Sequence, residues 1–131
     1  MHMPSKPVDA GTHAGLHALI VESDAGARNL CRGILESSGF GVDAVESGIA
    51  AVVAARRHTP DLILIAPQLT DVPGREAMIW LRANPALRDT PVVVMATREE
   101  TENGDFQSSA VLRKPLRPSA IRRTIHDIFA S

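Results

Sequence analysis

The sequence contains no tyrosine, one tryptophan and three phenylalanines, so aromatic residues make up only 3% of the chain. A core must therefore be built from Val, Ile, Leu and Ala, which the 44% hydrophobic content supplies. Cysteine is almost absent. The single Cys31 excludes an intrachain disulfide and any zinc site that needs two thiolates, and it makes a reducing cytoplasm the expected compartment. Neither sign of charge is in excess: a net charge of −1 provides no global attraction to nucleic acid or to an anionic membrane surface. No apolar run approaches the roughly 20 residues of a membrane span, so no membrane insertion is expected. The opening MHMPSKPVDAGTHAG lacks the apolar stretch of a secretory signal. Its Pro, Gly and small polar residues predict a flexible leader over residues 1–15, followed by one domain over 16–131.

Short apolar runs alternate with longer amphipathic ones. LHALIV (16–21) reads as a strand. Ala27, Leu30, Cys31, Ile34 and Leu35 form the i, i+3, i+4, i+7, i+8 stripe of a helix, on which Cys31 is a small buried hydrophobe. SSGFG (37–41) ends that helix, with Gly39 as the left-handed cap. A short strand over Val42–Val45 precedes a helix over 48–58 that Ser47 can cap. Leu62–Ala66 and VVVMA (92–96) are apolar without alternation, the pattern of parallel strands buried on both faces. A third helix runs from Gly74 to Arg82 and closes at Asn84 and Pro85. The stretch REETENGDFQSS (98–109) is a weak helix interrupted at Asn103 and Gly104. A last strand over Ala110–Arg113 leads to a helix opened by Pro118, with Ile121, Ile125, Ile128 and Phe129 on one face.

This alternation implies an α/β fold with a parallel sheet and helices on both faces. Ligands of such folds bind outside the carboxyl ends of the strands, which directs attention to the loops after Val21, Ala66, Ala96 and Arg113.

At those loops the chain resembles a response-regulator receiver domain, from about Leu16 to Phe129. The resemblance rests on ALIVESD (18–24), GFGVDAVESGIAA (39–51), PDLILIAPQL (60–69), LRANPALRDTPVVVMAT (81–97) and RKPL (113–116), in that order and spacing. It implies a flavodoxin-like doubly wound sheet of five parallel strands in the order 2-1-3-4-5. Receivers are phosphorylation switches. The resemblance implies an acceptor aspartate ending strand 3, an acidic pair after strand 1 that helps hold Mg²⁺, a Thr or Ser ending strand 4, a lysine ending strand 5, and an aromatic residue three before that lysine.

The sequence departs from this pattern at most of those positions. Ala66 stands at the acceptor position. Glu22 keeps one acid of the pair and Ser23 replaces the other. Ala96 takes the Thr/Ser position, with Thr97 one residue too late, its hydroxyl turned away by strand alternation. Val111 takes the aromatic position. Lys114 is retained. Pro67 removes a backbone N–H from the same mouth. A methyl group cannot form an acyl phosphate, and Mg²⁺ wants carboxylate oxygens in near-octahedral geometry. Neither phosphorylation at Ala66 nor Mg²⁺ binding is expected, nor any cofactor. Lys114 is expected to turn to Glu22 or to solvent; a Glu22–Lys114 pair in a semi-exposed cleft is worth under about 1 kcal/mol. The connection between strand 4 and Lys114 is about four residues shorter than the family spacing implies, so helix 4 is expected to be shortened or disordered.

Other residues offer alternatives. Thr70 or Asp71 is a candidate relocated acceptor, against an ordinary loop in which Asp71 caps the next helix. His2, His13, His17, His58 and His126 show no metal-ligand spacing, and no metal site is expected from them. Ile49 and Val53 on helix 2 and Ile79 and Trp80 on helix 3 are a candidate apolar partner surface, against the reading that they only cover the edges of an aromatic-poor core. Arg113, Arg117, Arg122 and Arg123 surround the start of the last helix. Arg117 takes its N-cap, where a cation opposes the helix dipole by about 0.3–1 kcal/mol. The cluster suggests an anionic ligand, against a solvated basic face balanced by Glu99, Glu100, Glu102 and Asp105.

These observations give a pseudo-receiver, non-enzymatic and cytoplasmic: a phosphorylation-independent protein-interaction module of bacterial two-component-type signalling. Its expected partner is another signalling protein or a second copy of the chain, and not DNA. The alternatives are a module binding a nucleotide or cyclic dinucleotide through the arginines, and a receiver phosphorylated at a non-standard residue. The chain stops two residues after Phe129, and it is expected to act alone or as one piece of a longer protein.

Overall fold

The structure is a computed structural model that describes residues 13–103 and 108–130. In chain order it comprises β1 (His17–Val21), α1 (Ala25–Ser37), β2 (Gly41–Val45), α2 (Gly48–Arg57), β3 (Leu62–Ile65), α3 (Gly74–Arg82), a 3-10 turn (Pro85–Leu87), β4 (Val92–Ala96), α4 (Arg98–Asn103), β5 (Ala110–Arg113) and α5 (Pro118–Phe129). The strands form one sheet in the order β2-β1-β3-β4-β5, parallel throughout. The expected fold is therefore the observed one, with α4 reduced to six residues. Of the expected leader, residues 1–12 lie outside the described residues, while His13 to Gly15 form a turn whose His13 ring stacks on Phe40 at 4.9 Å. The end of the weak segment, 104–107, also lies outside them.

Strand alternation sorts the core into two layers. Leu19, Val21, Ile63, Ile65, Val92 and Val94 face α2 and α3, meeting Ala51, Ala54, Ala55, Ala77, Met78 and Leu81. Ala18, Ile20, Leu62, Leu64, Val93 and Met95 face α1 and α5, meeting Cys31, Ile34, Leu35, Ile121 and Ile125. Each large aliphatic side chain buried in this way contributes about 1.5–3 kcal/mol. Helix caps contribute about 1 kcal/mol each, so they fix boundaries rather than supply the bulk of stability.

The caps are specific. Ser47 Oγ accepts the Ala50 N–H at 3.0 Å and opens α2. After α1, Gly39 adopts φ 103° and Phe40 N donates to Leu35 O, with Gly39 N donating to Glu36 O, a complete Schellman closure. Thr97 and Glu100 form a reciprocal capping box on α4, Oγ1 accepting from Glu100 N at 3.1 Å and the Glu100 carboxylate accepting from Thr97 N at 2.9 Å. The Arg82 guanidinium donates to the carbonyls of Leu87, Arg88 and Thr90, which holds the connection from α3 into β4.

One glycine sets how closely α2 and α3 approach. A Cβ on Gly48 would lie 2.8 Å from Val72 Cγ2 and 3.2 Å from Trp80 Cζ3. The Trp80 ring therefore lies over the start of α2.

Candidate functional site

Five parallel strands deliver their carboxyl ends to one mouth. Glu22 follows β1, Ala66 follows β3, Ala96 ends β4 and Lys114 follows β5. The backbone ladder continues past the strands to place them: Ala66 N donates to Val21 O, Glu22 N to Val45 O and Lys114 N to Ala96 O, each at 2.9 Å. The Lys114–Pro115 peptide is cis.

Glu22 is 1% exposed, and it is the one buried charged side chain among the described residues. Its Oε2 accepts the Asp24 N–H at 3.0 Å. Its Oε1 faces Lys114 Nζ at 2.8 Å, an ion pair off hydrogen-bond alignment, and has no other partner among the described residues. The semi-exposed cleft expected for this pair is thus corrected: the carboxylate is enclosed, while Lys114 keeps about a quarter of its surface. Breaking the pair would strand a buried charge, which costs more than the surface value assumed from sequence.

The other positions contribute no acid to the mouth. Ser23 Oγ donates to Gln68 O at 3.3 Å. Asp24 is the N-cap of α1, accepting the Ala27 N–H at 2.8 Å. Ala66 and Ala96 are buried methyls. The Thr97 hydroxyl caps α4 instead of entering the mouth. Val111 is exposed beside a hollow of ≈ 60 Å³ lined also by Pro67, Val94, Ala96, Glu100 and Thr101. Cys31, beneath the pair and 3.6 Å from Met95 Sδ, has its thiol pushed up to about 12, by burial first and by the Glu22 charge second. It is an inert core residue.

Asp71 requires a second correction. It caps the preceding helix rather than the next one: its carboxylate accepts Gly48 N at 2.8 Å and Ile49 N at 3.0 Å, at the start of α2, and Val72 N at 2.8 Å. The N-cap of α3 is Pro73, which makes no side-chain cap bond. The hydrogen bond from Gly48, aided by those from Ile49 and Val72, holds the Asp71 carboxyl below its ordinary range. Thr70 Oγ1 donates to Glu46 O at 3.2 Å, so neither residue points to the mouth.

The apolar residues of α2 and α3 are exposed: Ile49 by 62%, Val53 by 48%, Ile79 by 68% and Trp80 by 37%. A groove of ≈ 260 Å³ runs beside Trp80, with Val52, Arg56 and Leu87 on its walls. Arg113, Arg117, Arg122 and Arg123 are all exposed, and Arg117 makes no side-chain cap bond. None of the four has an ion pair with another described residue. Two of the histidines lie together in space. His17, at the start of β1, and His58, just after α2, converge on Asp43 of β2, at the opposite end of the sheet.

A doubly wound parallel sheet with a lysine and an acid meeting at its carboxyl mouth defines the class. A model of the response regulator receiver domain family matches residues 18–126, and the chain belongs to that family. It is 39% identical over 77 residues to a polar-differentiation response regulator DivK of Brucella ovis, covering 59% of this chain and 63% of the relative. The chain thus spans less than two thirds of the length of the curated relatives it matches. Among solved structures, the receiver domain of the sensor histidine kinase PA1611 of Pseudomonas aeruginosa, with magnesium coordinated in its active-site cleft, matches at TM-score 0.78 and 26% identity, covering 90% of this chain and 100% of that one. The chemotaxis response regulator CheY4 of Vibrio cholerae matches at TM-score 0.79 and 20% identity, covering 87% and 98%, and supports the fold. No helix among the described residues is long and apolar enough to cross a membrane.

Two measurements follow from this geometry. Lys114→Met should destabilise the domain by about 3 kcal/mol in urea melts, near the lower end for a broken buried pair because Lys114 is partly solvated. Adding Glu22→Gln should recover most of that loss; equal instability of single and double variants would show that the pair is not the cause. For Asp71, the folded carboxyl titrates below the unfolded one. Its contribution to stability is therefore complete above the ordinary aspartate range and lost as pH falls through the lower folded value. An NMR titration should place the Asp71 midpoint below that of a peptide aspartate, and Asp71→Asn should weaken the acid dependence of unfolding.

Proposed function

We propose that this receiver domain of two-component signalling works without phosphorylation at its own mouth, as a non-catalytic cytoplasmic module that binds another signalling protein. The observation that carries this reading is the Ala66 methyl at the end of β3, beneath a Glu22–Lys114 pair that already neutralises itself. An acyl phosphate needs a carboxylate oxygen, and a methyl has none. The same count bears on Mg²⁺. The receiver of PA1611 coordinates magnesium in its cleft. In this chain the mouth retains one carboxylate, paired with a lysine, while Asp24 is committed to α1 and Ser23 to Gln68 O. The residues present do not supply the acidic oxygen set that a hard dication requires.

Without a trigger at the mouth, signalling passes through a surface that is permanently formed. Ile49, Val53, Ile79 and Trp80 on α2 and α3 are that surface, since large apolar side chains this exposed on neighbouring helices mark interfaces.

The first test is chemical. After incubation with a small-molecule phosphodonor and Mg²⁺, the intact mass should be unchanged; the added mass of a phosphoryl group would overturn the reading. The second concerns the surface. Ile79→Asp should change stability by less than about 0.5 kcal/mol, as expected at an exposed site. It should nevertheless abolish partner recovery in quantitative pull-downs from the native cell. Equal recovery with wild type and variant would move the interface elsewhere.

A further inference from the structure

We propose that His17, Asp43 and His58 form a binding site for a divalent transition-metal ion of the zinc class, at the amino end of the sheet and remote from the carboxyl mouth. His17 Nε2 lies 2.9 Å from Asp43 Oδ2, and His58 Nδ1 lies 3.6 Å from the same oxygen. All three donor atoms fall within 4.8 Å of one another. Ligands about 2.0–2.1 Å from a tetrahedral ion are about 3.3 Å apart. The two separations from Asp43 Oδ2 bracket that value, and the two ring nitrogens, within 4.8 Å of each other, close the set by drawing together.

The fold brings these residues together for reasons independent of a metal. His17 and Asp43 share a face of adjacent strands, in register with Gly41 and Leu19 respectively. The end of α2 covers that corner, so its first residue past the helix, His58, arrives over the pair. The two imidazoles sit 4.9 Å apart, centre to centre. The His17 main chain is anchored on both sides. Its N–H donates to Asp61 Oδ2 at 2.8 Å, and its carbonyl accepts the Asp61 N–H at 2.7 Å. The ring lies over Gly41, where a Cβ would be 2.9 Å from Nδ1. The absence of a side chain at Gly41 therefore makes room for the ring that aims Nε2 at Asp43.

Two imidazoles and a carboxylate are a borderline-soft donor set, suited to zinc and its neighbours and not to Mg²⁺ or Ca²⁺, which take oxygen ligands. Side-chain exposures of 20% for His17, 32% for Asp43 and 65% for His58 leave the His58 side open, so a water can complete four-coordination. The carboxyl end of α2, the negative pole of its dipole, also favours a cation there. A bound ion would tie β1, β2 and α2 into one unit.

The test uses the full chain and zinc chloride. Calorimetry should show a saturable one-to-one site, and the melting temperature should rise with zinc and not with Mg²⁺. His58→Ala, at an exposed position, and Asp43→Asn should each weaken zinc binding by about tenfold or more and abolish the melting shift. His13→Ala should leave both intact. Absence of saturable binding would overturn the proposal. So would binding that survives His58→Ala and Asp43→Asn but is lost with His13→Ala, which would place the ion on the other histidines.

Discussion

The three central strands of a parallel sheet covered by helices on both sides show almost none of either face to water, and the placement of the polar groups follows from that. Past His17 at the start of β1, the central strands β1, β3 and β4 carry only Leu, Ile, Val, Met and Ala, alternating between the α2–α3 layer and the α1–α5 layer. A charge on either face would have no solvent and few partners. Polar chemistry is thereby kept to the ends of the central strands and to the edge strands. At the carboxyl end sit Glu22 and Lys114; at the amino end sit His17 and, from the end of α2, His58, which meet Asp43 of the edge strand β2.

Much of this was legible in the sequence because the physics is local. Doubly buried strands read as unbroken apolar runs, and Ser47 and Gly39 announce a helix start and a helix stop through groups within a few residues of themselves. What was not legible depends on partners far along the chain. Asp71 sits just ahead of α3, and a local reading gives it the cap of that helix. Its actual donors, Gly48 and Ile49, are 23 and 22 residues away and become visible only when α2 packs on α3. The enclosure of Glu22 likewise comes from neighbouring strand ends and not from its own segment.

His17, Asp43 and His58 illustrate the same limit in another way. Spacings of 26 and 15 residues match no ligand motif. The signal that could have found them was topological. With β2 beside β1, the parity that points Leu19 and Val21 toward α2 also points His17 there, and the parity of Val45 does the same for Asp43. Residue parity combined with strand order contains the cluster, whereas spacing alone does not.

The small residues at the mouth have a structural consequence. Glu22 follows β1 and Lys114 follows β5, and β3 and β4 lie between them. Three strand spacings amount to about 14 Å, near the combined reach of an extended lysine and a glutamate. The pair can close at 2.8 Å only if nothing large stands on the intervening strand ends. Those ends are Ala66 and Ala96. An aspartate at position 66 would also place a second carboxylate beside the enclosed Glu22, and like charges in a poorly solvated site repel strongly. Methyls on β3 and β4 therefore let one lysine neutralise one buried acid and tie the first strand of the fold to the last. The mouth keeps its geometry in this way, through a clamp that crosses the sheet.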